Sequence, residues 1–138
     1  MARHKFATAI TCIDGRVQQP VVDWMKLHVN VEYVDLVTEP GPDLVLSEGT
    51  TYVIDDIVRK ARFSVERHAS PVVAVCGHHD CAANGADKEK HVEQIEESVR
   101  VLLSYDLGVR VLGLWLSEWN SIELVWDTQA AQPLRISL

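Results

Sequence analysis

Apolar positions along this 138-residue chain fall into short continuous runs, separated by stretches in which they recur every three or four residues. The first run, "KFATAITCID" from Lys5 to Asp14, contains β-branched residues and closes on Gly15, which predicts a buried strand. From Val17 to Val29 the positions Val21, Trp24, Met25 and His28 share one helical face, with Pro20 tolerable in the first turn. "EYVDLVT" predicts a second strand, stopped by "EPGPD". Between Thr50 and His68, the residues Val53, Ile54, Ile57, Val58, Ala61 and Val65 form a stripe behind a Ser or Thr cap, which predicts a helix. "PVVAVC" is a third strand, bounded by Pro71 and Gly77. A further helix starts near Asp87, turns Val92, Ile95, Val99, Leu102 and Leu103 inward, and stops by Gly108. "VRVLGLWLS" is a fourth strand and "SIELVW" a candidate short fifth. The final "DTQAAQPLRISL" has no clear period and reads as an irregular tail or a docking arm.

Strands alternating with helices at this spacing predict right-handed crossovers and an α/β fold. The expected architecture is a central, mainly parallel sheet of four strands in the order 2-1-3-4, with a candidate fifth edge strand and helices on both faces. The whole of residues 1–138 reads as one domain, and no repeat or linker interrupts it. Ligands of such sheets collect beyond the carboxyl ends of the strands, where the chain order reverses. With strand 1 central, that crevice lies between strands 1 and 3. Their ends carry "CIDGR" and "CGHHDC".

Composition narrows the function classes. The apolar fraction of 47% and the formal charge of −7 describe a globular protein with a real core, and the acidic balance argues against a nucleic-acid surface. Asp14 and Arg16 interrupt the first apolar run too early for a signal-peptide core, and no stretch reaches membrane-spanning length. A cytoplasmic protein with no membrane partner is expected. Three cysteines, Cys12, Cys76 and Cys81, are an odd number for a disulfide framework, so metal ligation or thiolate chemistry is the better reading.

Cys12, His78 and Cys81 form a natural zinc set, two thiolates and an imidazole, with a fourth position left open for chemistry. In an extended segment Cys12, Asp14 and Arg16 would share a face, so Asp14 is either the fourth ligand or a hydrogen-bond acceptor fixed by Arg16. Cys76 reads as a packed thiol, with a substitute ligand or a redox partner of Cys81 as alternatives. His79 is either a proton shuttle or an exposed turn residue. His28 is expected in the core, and His4, His68 and His91 on the surface. Trp115, Trp119 and Trp126 are core or subunit contacts. "LGLWLSEW" is apolar for a free edge, which favours pairing with another copy.

Together, "CIDGR" and "GHHDC" resemble the C-x-D-x-R and H-x-x-C motifs of the β-class carbonic anhydrases, and the order of elements is similar over nearly the whole chain. The resemblance implies one zinc ion per chain on Cys12, His78 and Cys81, with a dyad of Asp14 and Arg16 that can open or close onto the metal. It implies a lyase (carbonate dehydratase) that hydrates carbon dioxide reversibly to bicarbonate and a proton through zinc-bound hydroxide; a proton path through His79 is read from that residue's own chemistry beside a candidate ligand. A homodimer or higher homo-oligomer is the expectation from the apolar "LGLWLSEW" segment. Gly15 stands where serine is common and Ala82 where glycine is. "TEPGPD", Thr38 to Asp43, replaces the arginine, asparagine and glycine motif after strand 2. Strand 1 begins at once, so the chain is expected to be a short form without the amino-terminal helical arm. Two alternatives remain: a hydrolase of carbonyl sulfide or carbon disulfide on the same zinc, and a non-catalytic zinc-binding or assembly module. A thiol-redox pair of Cys76 and Cys81 ranks last, since it lacks the C-x-x-C spacing.

Overall fold

The computed structural model describes residues 4–130 and 132–133. Within them the elements run β1 (His4–Thr11), α1 (Gly15–Met25), β2 (Val31–Thr38), α2 (Pro42–Glu48), α3 (Thr51–Arg67), β3 (Val72–His78), α4 (Lys88–Ser104), β4 (Arg110–Leu116) and β5 (Ile122–Asp127). The sheet order is β2-β1-β3-β4-β5, as predicted, with β5 as the added edge strand. β1 pairs in parallel with β2 and β3, β3 pairs in parallel with β4, and β5 joins antiparallel.

Each strand presents alternate residues to two cores. On one face Ala7, Ala9, Ala74, Leu112 and Leu114 pack beneath Val17, Val21 and Met25 of α1. On the other, Ile10, Val73 and Val75 meet Leu46 of α2, Ile57 and Ala61 of α3, and Val99 and Leu102 of α4. Thr50 caps α3 and Asp87 caps α4, their side chains accepting from the backbone N–H groups of Val53 and Lys90.

The fold departs from the sequence pattern at several points, each with a local cause. β1 ends at Thr11, short of Asp14, because the Asp14 carboxylate caps α1 instead of continuing the strand. α1 passes at Met25 into a wider π-helical turn, Lys26–Asn30. That turn shifts the helical phase, so His28 is exposed, stacked on Trp24 with its Nδ1 3.0 Å from the Trp24 carbonyl oxygen. α2 is an unpredicted helix; "EPGPD" stops β2, but Gly41 in a left-handed conformation and Pro42 at the first helical position then start a new helix. α4 ends at Ser104, and Gly108 lies in the turn beyond it.

Histidine and tryptophan burial also differ from expectation. His4 and His68 are exposed, but His91 is 1% exposed, drawn inward by a carboxylate of α2. β4 is not an edge, since β5 covers its outer side, and Trp115 and Trp126 are buried while Trp119 is 83% exposed. Half of the expected tail, positions 131 and 134–138, lies outside the described residues, and Asp127 at its start belongs to β5.

One glycine sets how closely α2 approaches the sheet. A Cβ on Gly77 would stand 2.5 Å from Oδ2 of Asp43 and 3.0 Å from Cδ1 of Ile95. Gly77→Ala is therefore expected to destabilise the fold by about 1–3 kcal/mol, read as a lowered thermal midpoint. An unchanged midpoint would mean that α2 yields freely.

Candidate metal centre

The sheet register brings the two motifs together. Ile10 lies opposite Val75 in parallel pairing, so two residues further on Cys12 comes level with Gly77 and beside His78. β3 runs through Gly77 to His78, and the backbone N–H of His79 still reaches the Leu116 carbonyl oxygen at 3.0 Å. The chain then turns back through Asp80, which takes a left-handed φ of 52°, and an isolated bridge between Cys81 and Asn84 closes the loop. Aspartate tolerates that conformation better than most residues. The H-x-x-C spacing thus turns two side chains toward one point.

Cys12, His78 and Cys81 each place one ligand atom so that all three lie within 4.8 Å of one another. They are 4%, 2% and 6% exposed. The Sγ atoms of Cys12 and Cys81 are 3.9 Å apart, far beyond a disulfide bond at ~2.05 Å. The separation instead matches the ~3.8 Å edge of a tetrahedron built on metal–sulfur distances of ~2.3 Å. Nε2 of His78 is buried without a hydrogen-bond partner among the described residues. An orphaned buried ring nitrogen costs about 1–3 kcal/mol, and a cation on it would remove that cost. Burial pushes the His78 ring below its ordinary pKa, favouring the neutral form that a metal requires. The same desolvation raises the Cys81 thiol, opposed by the backbone N–H groups of Ala83 and Asn84. The donor set fits zinc by type, number and spacing. No other cluster of this kind occurs among the described residues.

Asp14 and Arg16 do meet, though not by the alternation of an extended strand. Asp14 is the cap of α1 and Arg16 lies in its first turn, so the helix start itself folds the guanidinium back. Arg16 donates from Nη2 to Oδ2 of Asp14 at 2.6 Å, and from Nε to Oδ1 at 3.1 Å and Oδ2 at 3.2 Å, with its backbone N–H to Oδ1 at 2.9 Å. That fork, then the backbone bond, holds the Asp14 carboxyl well below the usual carboxylate range. Asp14 lies outside the three-donor group, its oxygens turned to Arg16. Arg16 also donates to the carboxylate and the backbone carbonyl of Asp80, both at 3.2 Å, tying the dyad to the turn between His78 and Cys81. Sequence spacing gave no sign of this Arg16–Asp80 contact.

His79 lines a cleft of about 640 Å³ with Asp80, Trp115, Trp119 and Glu123. Its side chain makes no hydrogen bond among the described residues. Cys76 faces the core, its thiol 3.3 Å from the Gly77 carbonyl oxygen and raised in pKa by complete burial, so it lies outside the donor set. Asp43, Asn84, His91 and Gln94 form a buried polar group behind the loop that carries Cys81. The sequence reading missed it, although His91, Gln94 and Ser98 share the i, i+3, i+7 spacing of one α4 face.

A family model described as "Putative carbonic anhydrase" matches residues 2–126. No curated protein matches this chain. Among solved structures, β-carbonic anhydrase isoform I of the protozoan Trichomonas vaginalis has a TM-score of 0.61 at 16% identity, covering 92% of this chain and 87% of that one. A structure from the work on two tetrameric β-carbonic anhydrases of the ascomycete Sordaria macrospora scores 0.60 at 12% identity, covering 91% and 83%. The carbonic anhydrase of Streptococcus mutans scores 0.55 at 20% identity, covering 90% and 84%. At these identities the likeness is one of fold.

Proposed function

Because this chain belongs to the carbonic anhydrase family that the model describes, and has the fold of the β-class enzymes, we propose that it catalyses the reversible hydration of carbon dioxide to bicarbonate and a proton. The observation that carries the reading is the buried Cys12, His78 and Cys81 set, with its orphaned ring nitrogen, at the crevice between β1 and β3. Those three residues would hold one zinc ion per chain. Zinc, when bound, supplies the Lewis acidity that brings the pKa of a coordinated water to about 7, so that a nucleophile for carbon dioxide exists at neutral pH.

The chain's own residues supply orientation. Asp14, kept ionised by Arg16, can only accept hydrogen bonds, so it selects and aligns an O–H donor at the mouth of the site. Arg16 holds that acceptor still through its paired contacts, and its second anchor on Asp80 fixes the dyad relative to the ligand loop. His79, one residue beyond a ligand and facing the cleft, carries the released proton outward.

The direct test is carbon dioxide hydration by zinc-loaded protein. A rate equal to that of buffer alone, from neutral to alkaline pH, would remove the assignment. Sulfide release from carbonyl sulfide without carbon dioxide hydration would change the substrate and leave the metal in place. His79→Ala is expected to lower turnover about 10-fold in weak buffer and to recover as imidazole is added. Equal turnover in both buffers would take His79 off the proton path.

A further inference from the structure

Behind β3, on the face that carries α2 and α4, the molecule buries a polar group that the proposed chemistry does not use. Asp43 of α2 and His91 of α4 are each 1% exposed, with Nδ1 of His91 donating to Oδ2 of Asp43 at 2.5 Å. The other ring nitrogen, Nε2, lies 3.2 Å from the backbone carbonyl oxygen of Asn84. The Asn84 amide nitrogen also lies 3.3 Å from Nδ1, so the ring is held at both ends by Asp43 and Asn84.

Asn84 is the far post of the loop that carries Cys81. Its backbone N–H donates to the Cys81 carbonyl oxygen at 3.2 Å. Its side-chain amide donates to Oε1 of Gln94 at 2.8 Å and to Oδ1 of Asp43 at 3.2 Å. The backbone N–H of Leu44 also holds Oδ1 of Asp43, at 3.1 Å. A Cβ on Gly41, in the turn before α2, would stand 3.2 Å from Cβ of Ala83, so this turn also packs on the loop.

A buried aspartate–histidine contact is by itself weak evidence for stability, because desolvation offsets much of its attraction and apolar residues of similar volume often serve as well. Such a pair does, however, point in one direction. Here every arm of it ends on Asn84 or on the α2 start, and the backbone of Asn84 is bonded to Cys81. We propose that Asp43, His91 and Asn84 are positioning residues for Cys81, holding the Cys81–Asn84 loop in ligand geometry before a metal arrives. The proposal rests on the zinc reading for its function but not for the geometry it describes. A loop ordered in advance loses little conformational freedom on binding, which is how outer partners of a ligand raise metal affinity. The segment after β2 thus supports the metal loop from behind.

Asn84→Ala removes the side-chain arms and leaves the Asp43–His91 pair in place. In the metal-free protein, hydrogen exchange at the amides of residues 81–84 is expected to speed up by about 10-fold or more, and zinc affinity by chelator competition to fall by about 10- to 100-fold. Gln94→Ala, which takes away one acceptor of the Asn84 amide and a donor to Glu48 at 3.4 Å, should give a smaller change in the same direction and serves if Asn84→Ala does not fold. Ser64→Ala cuts a buried hydrogen bond between α3 and Thr8 of β1, on the same face of the sheet but with no bond to the Cys81–Asn84 loop, and is the control for general destabilisation. It should lower the melting temperature and leave both loop readouts unchanged. If Asn84→Ala and Gln94→Ala lower the melting temperature while loop exchange and zinc affinity stay as in the parent, the group is structural only and the proposal fails. A parent protein that takes up no zinc would overturn the metal reading, and the exchange measurement would still decide the positioning of the loop.

Discussion

Cys12→Ala is expected to take the purified protein from near one zinc per chain to almost none and to lower carbon dioxide hydration to the buffer rate. Of the three donors within 4.8 Å, Cys12 alone arrives from β1, so its loss leaves only the two ligands of one short loop. Losing an outer partner of a ligand already costs 10- to 100-fold in affinity, and losing one of three ligands should cost more, on the order of 10³-fold. Cys76→Ala is the contrast. That thiol is buried in the core and outside the donor set, so its removal should reduce stability while zinc content stays as in the parent. Metal analysis of the two variants separates ligand from packing residue. Full zinc content in Cys12→Ala, or its loss in Cys76→Ala, would overturn the assignment.

Asp14→Asn should keep its zinc and lose about 10²-fold in kcat/KM. The substitution preserves shape and the cap of α1 but replaces an acceptor-only group with one that also donates. The pH behaviour follows from the direction of the shift. The Arg16 fork and backbone bond place the folded-state pKa below the unfolded value of ~3.9. The resulting stability is present above that unfolded value and is lost as the pH falls through the folded one, with solvent screening keeping it small at this partly exposed position. Across about pH 6 to 9 Asp14 is fully ionised, so any limb in the rate profile there belongs to another group. The plateau should therefore drop in Asp14→Asn with no new limb in that range. A plateau within twofold of the parent would remove Asp14 from the chemistry.

The two motifs were legible because they sit where apolar runs end. "CIDGR" and "GHHDC" follow runs that read as buried strands, and a parallel sheet gathers the carboxyl ends of its strands. That was enough to bring Cys12 to His78 and Cys81, to which no local spacing connects it. The reading was weaker where a residue's partner lay far away in the chain. His91 looked like a surface residue of a charged helix because nothing near it in sequence reveals Asp43, 48 positions earlier. Arg16 was paired with Asp14 by proximity, but its contact with Asp80 depends on how two loops meet. His28 fell on the apolar stripe until the π-helical turn changed the phase, and α2 was hidden in seven residues too short to display a period.

By itself, then, the amino-acid sequence determined the order of strands and helices, the mainly parallel sheet and the residue types that meet at its crevice. Periodicity is a local property, and crossover handedness restricts the rest. Tertiary structure alone decided that the donors stand 3.9 Å apart at their sulfur atoms, that Asp14 turns to Arg16 outside the donor group, and that a buried aspartate and histidine brace the ligand loop from behind. Those outcomes depend on distances between segments dozens of residues apart. Packing sets such distances, through glycines that admit close approach and buried polar atoms that must find partners.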